Sequence, residues 1–144
     1  MKKLLVCILA VMPLLFVSCK KDDKSNVQEP KNDVGEERIV QVGYTVAHID
    51  YWDFVEIQDG SMSCTDSYGY VASVGAVNSL KEVDYVPTSG WEKNIAIKLG
   101  HGYVVKCENR PYQFSRIRFL ERIDKGEVIG YRIRIQDNWN PLDN

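Results

Sequence analysis

The chain has 144 residues, among them 18 Lys and Arg against 20 Asp and Glu, which gives a formal net charge of −2. A chain of this length accommodates one domain. Its mildly acidic balance argues against a nucleic-acid partner, because proteins that bind nucleic acid usually carry a basic patch or stripe.

The first 18 residues have the three parts of a secretory signal peptide. Lys2 and Lys3 form a positive start, residues 4–16 form an apolar run interrupted by Pro13, and the small residue Ser18 ends the segment. The run is too short to cross a hydrocarbon core, which takes about 20 apolar residues. A buried core helix is also excluded, because the run has no polar face and a charged segment follows it at once. We therefore predict that residues 1–18 are removed, which leaves 16 basic and 20 acidic residues, a formal −4.

Phe16-Val17-Ser18-Cys19 resembles a bacterial lipobox, with Phe16 in the place of the usual leucine. The resemblance implies cleavage before Cys19 and attachment of a diacylglycerol through a thioether on its sulfur. Two or more acyl chains make a stable anchor in a lipid bilayer, because each buried methylene contributes about 0.8 kcal/mol. The alternative is an ordinary signal peptide followed by a cysteine that is not acylated.

Residues 20–38 read KKDDKSNVQEPKNDVGEER, and 11 of these 19 residues are charged. Such a segment cannot bury enough apolar surface to offset the entropy of ordering it, so it predicts a disordered tether. Asp22 and Asp23, close behind Cys19, resemble the acidic export signal of surface lipoproteins in Bacteroidetes-type bacteria, although Lys20 and Lys21 precede them. That resemblance implies an outer-membrane lipoprotein displayed at the cell surface. A periplasm-facing anchor is the alternative.

From residue 39 onward the apolar pattern has a period of two residues, not 3.6. Short segments rich in β-branched and aromatic residues alternate with turn residues such as Asp59-Gly60 and Lys125-Gly126. This pattern predicts an all-β domain over residues 39–144, a single antiparallel β-sandwich or barrel-like domain of seven or eight strands. Residues 77–83 are the best helical candidate and are short enough to be a turn. The predicted strands are residues 39–46, 54–58, 68–74, 94–99, 103–107, 112–123 and 128–136.

The last predicted hairpin places four arginines on one face. A three-residue loop at residues 124–126 would set Phe119 opposite Tyr131 on the apolar face, and the arginines would share the other, exposed face. Like charges that lie directly opposite are destabilising, so acidic residues on an adjacent strand, splaying into water or a bound anion must compensate. Arginine binds carboxylate, sulfate or phosphate in a bidentate manner, so an acidic glycan is a reasonable ligand. The candidate ligand-binding residues are Arg116, Arg118, Arg132 and Arg134.

A second predicted hairpin turns at Gly100-His101-Gly102 and sets Leu99 opposite Tyr103. His101 would then lie at the tip of the turn, where it either hydrogen-bonds the loop or contributes to a ligand site. Trp91, Tyr51-Trp52 and Trp139 lie next to turns or strand ends. Aromatic side chains in such places either cover the ends of the core or stack on sugar rings.

The last third of the chain resembles a family of small uncharacterised surface lipoproteins of Bacteroidetes-type bacteria. The residues that carry the resemblance are Pro87-Thr88-Ser89-Gly90-Trp91, Ile95-Ala96-Ile97, the run GHGYV at 100–104, Ser115-Arg116-Ile117 and Gly130-Tyr131-Arg132-Ile133. It implies a surface-anchored β domain with no assigned activity. A fainter resemblance is to haem-scavenging β lipoproteins, which hold haem through paired His or Met, but no motif marks His48, His101 or Met62 as a ligand.

Cys64 and Cys107 are the other cysteines of the mature chain. A compartment beyond the inner membrane permits disulfides, and a bridge across this loop would stabilise the fold by about 4 kcal/mol in the chain-entropy model. The two residues either pair or remain separate thiols. His48 and Asp50 share a strand face, but a metal site needs three or four ligands, so we expect a solvated strand edge there.

The sequence contains no nucleophile motif, no phosphate-binding loop and no carboxylate pair marked out for acid–base catalysis. We therefore expect a non-catalytic lipoprotein without a cofactor or metal, anchored in the outer membrane through Cys19. Its expected partner is a surface glycan or another surface protein. A haem or small-ligand carrier is the alternative from a different class, and a hydrolase is the third.

Overall fold

The computed structural model describes residues 33–143 apart from Tyr51, and the side chain of Asp53 is not described. The predicted signal peptide, the lipidation site Cys19 and residues 20–32 of the predicted tether lie outside the described residues. No helix in the described part of the chain is long and apolar enough to cross a membrane.

Nine β-strands in the described residues pair into two antiparallel sheets, so the prediction of an all-β sandwich is confirmed. The larger sheet has the order β1-β9-β8-β7-β5, and the smaller has the order β2-β3-β4-β6. The strands are β1 Glu36–Gln41, β2 Thr45–Ile49, β3 Trp52–Gln58, β4 Ser61–Cys64, β5 Gly69–Ala76, β6 Asn94–Ala96, β7 His101–Cys107, β8 Arg110–Lys125 and β9 Val128–Trp139.

Two short strands account for the difference from the seven predicted segments. Gly43, with a φ of +89°, turns the chain inside the predicted strand 39–46, so that β1 joins the larger sheet and β2 the smaller. β4 reads SMSC, which has no apolar alternation, yet it pairs with β3 on one side and β6 on the other. The alternation of apolar residues does not reveal either feature, because both depend on which sheet a short segment joins.

The main core lies between the two sheets. The inward residues of β8 and β9, Ile117, Phe119 and Ile133 among them, are fully buried against residues of β2, β3 and β4. Phe119 meets Tyr103 and Tyr131 edge to face, with ring centroids 5.6 and 5.4 Å apart. The two tyrosine hydroxyls accept hydrogen bonds from backbone N–H groups of Lys98 and Gly60 at 2.8 Å, so the core aromatics also fix the turns around them.

A second, smaller core lies on the outer face of the larger sheet. Residues 77–91, here called the strap, cross this face and bury Leu80 and Val83 against Val104, Phe114 and Trp139. The strap contains one 3₁₀ turn, Leu80–Glu82, where the sequence predicted a short helix or a turn. The larger sheet is therefore covered on both faces over part of its length.

The β8–β9 hairpin has a different register from the predicted one. Lys125 pairs with Val128, so the loop has two residues, and its first residue Gly126 has a φ of +72°. A bulge at Leu120 then shifts the ladder by one residue, and beyond it Phe119 faces Ile133 and Arg118 faces Arg134. The extra residue restores the apolar face that a two-residue loop alone would have lost.

The predicted hairpin at Gly100-His101-Gly102 is wrong. β6 pairs with β4 in the smaller sheet, whereas β7 pairs with β5 and β8 in the larger one. The chain crosses from one sheet to the other through residues 97–100, and Ile97 and Leu99 pack against the core between them. His101 consequently begins β7 opposite Ala76 and does not lie at the tip of a turn.

The folded domain begins before residue 39, so the predicted tether boundary is too late. Glu36 to Gln41 form β1 and pair with Gly130–Ile135 of β9. The side chain of Asp33 is fully buried and accepts hydrogen bonds from the backbone N–H groups of Leu80 and Lys81 at 2.7 and 3.0 Å. A highly charged stretch can join a sheet edge when its charges meet partners, a condition that composition alone does not reveal.

Candidate functional site

The four predicted arginines share one face of β8 and β9, but the expectation that this face is exposed is wrong. Arg116 and Arg118 are only 3% and 1% exposed because the strap covers them. Arg118 lies opposite Arg134 in the ladder, and these two like charges need compensation. Arg116 lies opposite Gln136.

Arg116 and Arg118 hold the strap. Arg116 donates to the carbonyl oxygen of Val83 at 2.6 Å and to Gln136 Oε1 at 2.6 and 2.9 Å, and its guanidinium lies 4.6 Å from the centroid of the Trp139 ring. The Nε of Arg118 donates to the carbonyl oxygen of Val77 at 3.1 Å. Burial lowers the pKa of Arg116, while the charges of Asp33 and Asp84 act in the opposite direction. These two side chains therefore serve the packing of the strap.

Arg132 and Arg134 are compensated by acidic residues. Glu37 on the neighbouring strand β1 lies 3.2 Å from Arg132 and 3.4 Å from Arg134, and Glu121 lies 3.2 Å from Arg132. Of the alternatives that the sequence left open, the structure favours acidic residues on an adjacent strand. It does not leave a cluster of unpaired arginines on the surface.

Cys64 and Cys107 are two free thiols in the structure. Both border Gly69: Cys107 faces it across the β5–β7 ladder, and a Cβ built on Gly69 would lie 3.3 Å from the Cβ of Cys64. Burial raises the pKa of the Cys64 thiol to about 11, partly offset by Lys93. The folded state therefore keeps this thiol protonated at neutral pH.

The histidines and Met62 are not brought together. Met62 is fully buried in the main core, whereas His48 in β2 and His101 at the start of β7 lie at opposite ends of the sandwich. The Nδ1 of His101 is buried and has no hydrogen-bond partner among the described residues. No group of three or more His, Cys, Asp or Glu residues that could hold a metal ion occurs within residues 33–143 as described.

His48, Ser115 and Asp137 do meet, but as a bridge between the sheets. The Ser115 hydroxyl lies 2.9 Å from the carbonyl oxygen of His48 and 3.1 Å from Asp137 Oδ1, which also accepts from the backbone N–H of His48 at 2.9 Å. These contacts reach the backbone of His48, and Ser115 is fully buried. They secure β2 next to Ala47, a strand residue whose φ is +68°.

Trp91 belongs to a surface cluster that the sequence did not indicate. The aromatic–lysine cluster consists of Tyr70 in β5, Trp91 at the end of the strap, Lys93 just before β6, and Lys106 in β7. The Lys106 ammonium lies 4.3 Å from the centroid of the Trp91 ring and 5.3 Å from that of the Tyr70 ring. The Lys93 ammonium lies 3.6 Å from the centroid of the same Tyr70 ring. Cation–π contacts of this kind contribute about 0.5–1 kcal/mol each at exposed sites.

Backbone groups hold two members of the cluster in place. The Lys93 ammonium donates to the carbonyl oxygens of Ser67 and Gly69 at 2.6 Å each. The indole N–H of Trp91 donates to the carbonyl oxygen of Pro87 at 3.1 Å. The rings are half-buried and their orientation is set before any ligand arrives.

Exposed aromatic side chains gather at the neighbouring end of the sandwich. The β2–β3, β4–β5 and β7–β8 connections all lie at this end, here called the loop end, because the paired strands begin or finish there. Trp52 at the start of β3, Tyr68 in the β4–β5 connection and Tyr112 near the start of β8 lie here and are 69%, 49% and 74% exposed. Trp139, by contrast, is buried and covers the second core.

A groove of about 580 Å³ lies on the other side of the molecule, between β1 and β2. Its lining includes Ile39 and Tyr44, both mostly exposed. Comparison of the chain with protein-family models, with curated proteins and with solved structures found no match in any of the three.

Proposed function

We propose that this protein is a lipid-anchored, non-catalytic binding module at the outer membrane, displayed at the cell surface, that recognises a glycan or a surface protein. In this proposal the chain is related to the family of small surface lipoproteins that its last third resembles. Its anchor is Cys19 behind the lipobox-like Phe16-Val17-Ser18, and its recognition surface is the loop end with the adjoining aromatic–lysine cluster.

The observation that carries the proposal is the accumulation of exposed aromatic side chains at one end of the sandwich. Single exposed apolar residues are common on protein surfaces, but a group of them marks a site of interaction. Tyrosine and tryptophan are also the residues most enriched where proteins bind partners. Trp52 and Tyr112 near the starts of two strands and Tyr68 in the β4–β5 connection supply such a group at the loop end.

The anchor and the recognition surface are tested separately. Replacement of Cys19 by Ala should abolish incorporation of labelled fatty acid and release the protein from membranes, and retention of the label would overturn the anchor. For recognition, the wild-type chain should bind glycans on an array or capture a surface protein. The double variant Trp52→Ala/Tyr112→Ala should lose that binding.

Tyr44→Ala is the matched control, because Tyr44 is as exposed as these residues but lies at the other end of the sandwich. Equal loss in this control, or no loss in the double variant, would contradict recognition at the loop end. A circular dichroism spectrum like that of the wild type verifies that each variant is folded.

A further inference from the structure

We propose that the aromatic–lysine cluster binds an anionic pyranose, a uronate or a sulfated sugar, with the acidic group of the sugar on the Lys106 ammonium. The inference rests on the proposed function and specifies the ligand class and the site for its glycan branch. It moves the anion site away from the four arginines, which the structure shows to be covered or compensated.

Lys106 is the cation of the cluster that keeps its hydrogen-bond donors. Its ammonium contacts the rings of Trp91 and Tyr70 and has no carboxylate or hydrogen-bond acceptor among the described residues. A cation–π contact neutralises little charge and occupies none of the three N–H donors in a conventional hydrogen bond. A carboxylate or sulfate ester that reaches Lys106 would therefore gain charge-assisted hydrogen bonds without displacing a protein partner.

Lys93 has a different role because its donors are used. Its ammonium is bound by the carbonyl oxygens of Ser67 and Gly69 and lies against Tyr70. Lys93 is thus a positioning residue that fixes the Tyr70 ring and the β4–β5 connection. Preformed walls reduce the entropy lost on binding.

The distribution of charge favours an anion at this place. Trp91 and Lys93 flank Glu92, whose backbone pairs with Val71 in an extended bridge, so alternation directs the Glu92 side chain to the opposite side. Arg116 lies on the same face of the larger sheet as Lys106, two residues along β8 from the partner of Lys106, and adds a second positive charge under the strap. The charges of Asp33 and Asp84 act on Arg116 from the start of the described chain and from the strap.

The half-exposed rings favour a sugar over a small inorganic anion. Trp91 and Tyr70 are half-buried rings that both contact the ammonium, and exposed Tyr68 lies two residues before Tyr70 in the chain. A pyranose presents C–H groups to aromatic rings while its acidic substituent reaches the cation. Phosphate or an acidic peptide would use Lys106 alone.

The test is a calorimetric titration of the full chain with oligogalacturonate, with a sulfated chondroitin oligosaccharide and with a neutral galacto-oligosaccharide. The acidic oligosaccharides should bind and the neutral one should not, and affinity should fall as salt is raised. Lys106→Met should weaken binding about tenfold or more, because it removes a charge-assisted contact. Lys106→Arg should retain most of the affinity.

Lys125→Met is the matched control, since Lys125 is an exposed lysine at the last position of β8, at the far end of the sandwich. Trp91→Phe, which keeps an aromatic ring next to Lys106 at the end of the strap, should weaken binding less than Lys106→Met. An unchanged affinity in Lys106→Met, with glycan binding intact, would overturn this inference and leave the proposed function standing.

Two further outcomes would also overturn the inference. Equal binding of inorganic phosphate or poly-glutamate would show an anion site without sugar recognition. Capture of a surface protein with no glycan binding would remove the glycan branch and keep the protein branch. If the wild-type chain bound neither a glycan nor a surface protein, that result would instead count against the proposed function itself.

Discussion

At the scale of single residues, the interior tolerates the charge of Arg116 because its guanidinium has partners there. Removing a guanidinium from water is costly unless its donors are used. Arg116 reaches a carbonyl oxygen and an amide oxygen and stacks on Trp139, an arrangement that suits a planar, forked cation. The same side chain therefore packs like a core residue and closes the hydrogen bonds of the strap.

Replacing Arg116 by Lys should destabilise the protein by roughly 2–4 kcal/mol, because the charge stays buried while the planar fork and the ring contact are lost. Urea denaturation measures the change. Arg122→Lys is the control, since Arg122 is half-exposed and pairs with Asp59 and Asp124 at the surface. A loss no greater for Arg116→Lys than for Arg122→Lys would contradict the structural role of Arg116.

The thiol of Cys64 should make stability depend on pH in the alkaline range. Its pKa is raised by burial to about 11 in the folded state from an ordinary value of 9.0, so the folded chain holds the proton more tightly than the unfolded chain. The stability that this contributes is complete below about pH 9 and is lost as pH rises toward about 11. The raised pKa of buried Tyr103 acts in the same direction at still higher pH.

Cys64→Ser should reduce this alkaline loss, as measured by denaturation at a series of pH values. The same raised pKa predicts slow alkylation of Cys64 by iodoacetamide at neutral pH, because the thiolate is the reactive form. Alkylation as fast as that of a free thiol peptide would show that the burial of Cys64 is wrong. Cys107→Ser, at a buried thiol in the same region, gives the comparison.

At the scale of elements, close backbone approach determines how β1 joins the larger sheet. Gly130 of β9 lies opposite Gln41, and a Cβ at Gly130 would come within 2.4 Å of the carbonyl oxygen of Val40. Glycine is therefore needed here for space and not for a left-handed backbone. The charged half of β1 is held by the ion pairs of Glu37 with Arg132 and Arg134. The pairing of β1 with β9 therefore depends on contacts at both ends of the strand.

Gly130→Ala should destabilise the protein by about 2 kcal/mol or more, since backbone atoms must move to admit the methyl group. Hydrogen exchange should show faster exchange in β1 while the β7–β8 pairing stays protected. Gly75→Ala is the control, because its Cβ would meet nothing within 4 Å and only its φ of +88° is unfavourable, a cost of about 1 kcal/mol. Identical exchange in β1 before and after the Gly130 substitution would contradict the close approach.

At the scale of the whole molecule, the start of the domain closes the strap as well as one sheet edge. Asp33 accepts hydrogen bonds from the backbone of Val34, Leu80 and Lys81, so the beginning of the described chain holds the middle of the strap. The strap in turn covers Arg116 and ends at Trp91 in the aromatic–lysine cluster. The chain from Asp33 is thus part of the fold that supports the proposed binding site.

Truncations test this boundary. A chain that begins at Asp33 should show a thermal unfolding midpoint close to that of the chain that begins at Cys19. A chain that begins at Ile39 loses Asp33, Glu37 and half of β1, and its midpoint should fall by several degrees, since about 1 kcal/mol shifts the midpoint of such a domain by roughly 4–8 °C. Equal midpoints for the two shorter chains would restore the boundary at residue 38.

Local patterns were sufficient for the strands of the core and insufficient for their pairing. The alternation of Ile117, Phe119 and Ile133 made the all-β class predictable, because burial of one sheet face requires a period of two. The register of the last hairpin was wrong because the loop has two residues, 126 and 127, and the bulge at Leu120 then changes the phase by one residue. A bulge is decided by how the sheet must bend. The hairpin at Gly100 was wrong because adjacent strands can join different sheets of a sandwich.

The candidate site shows the same division. Trp91 was visible in the sequence as an aromatic residue near a turn, but Tyr70, Lys93 and Lys106 are ordinary strand and loop residues until β5, β7 and the strap meet. The four arginines were placed correctly on one face, but their burial was not predictable, since the strap that covers them lies more than 20 residues away in the chain.

By itself the sequence determined the all-β class, and it supports the prediction of a lipoprotein start, because strand alternation and a signal segment are local patterns. Only the tertiary structure decided the two sheets, the covered arginines and the lysine that contacts two aromatic rings. Each of these depends on contacts between residues far apart in the chain, and such contacts are set by which faces pack together, not by the order of the residues.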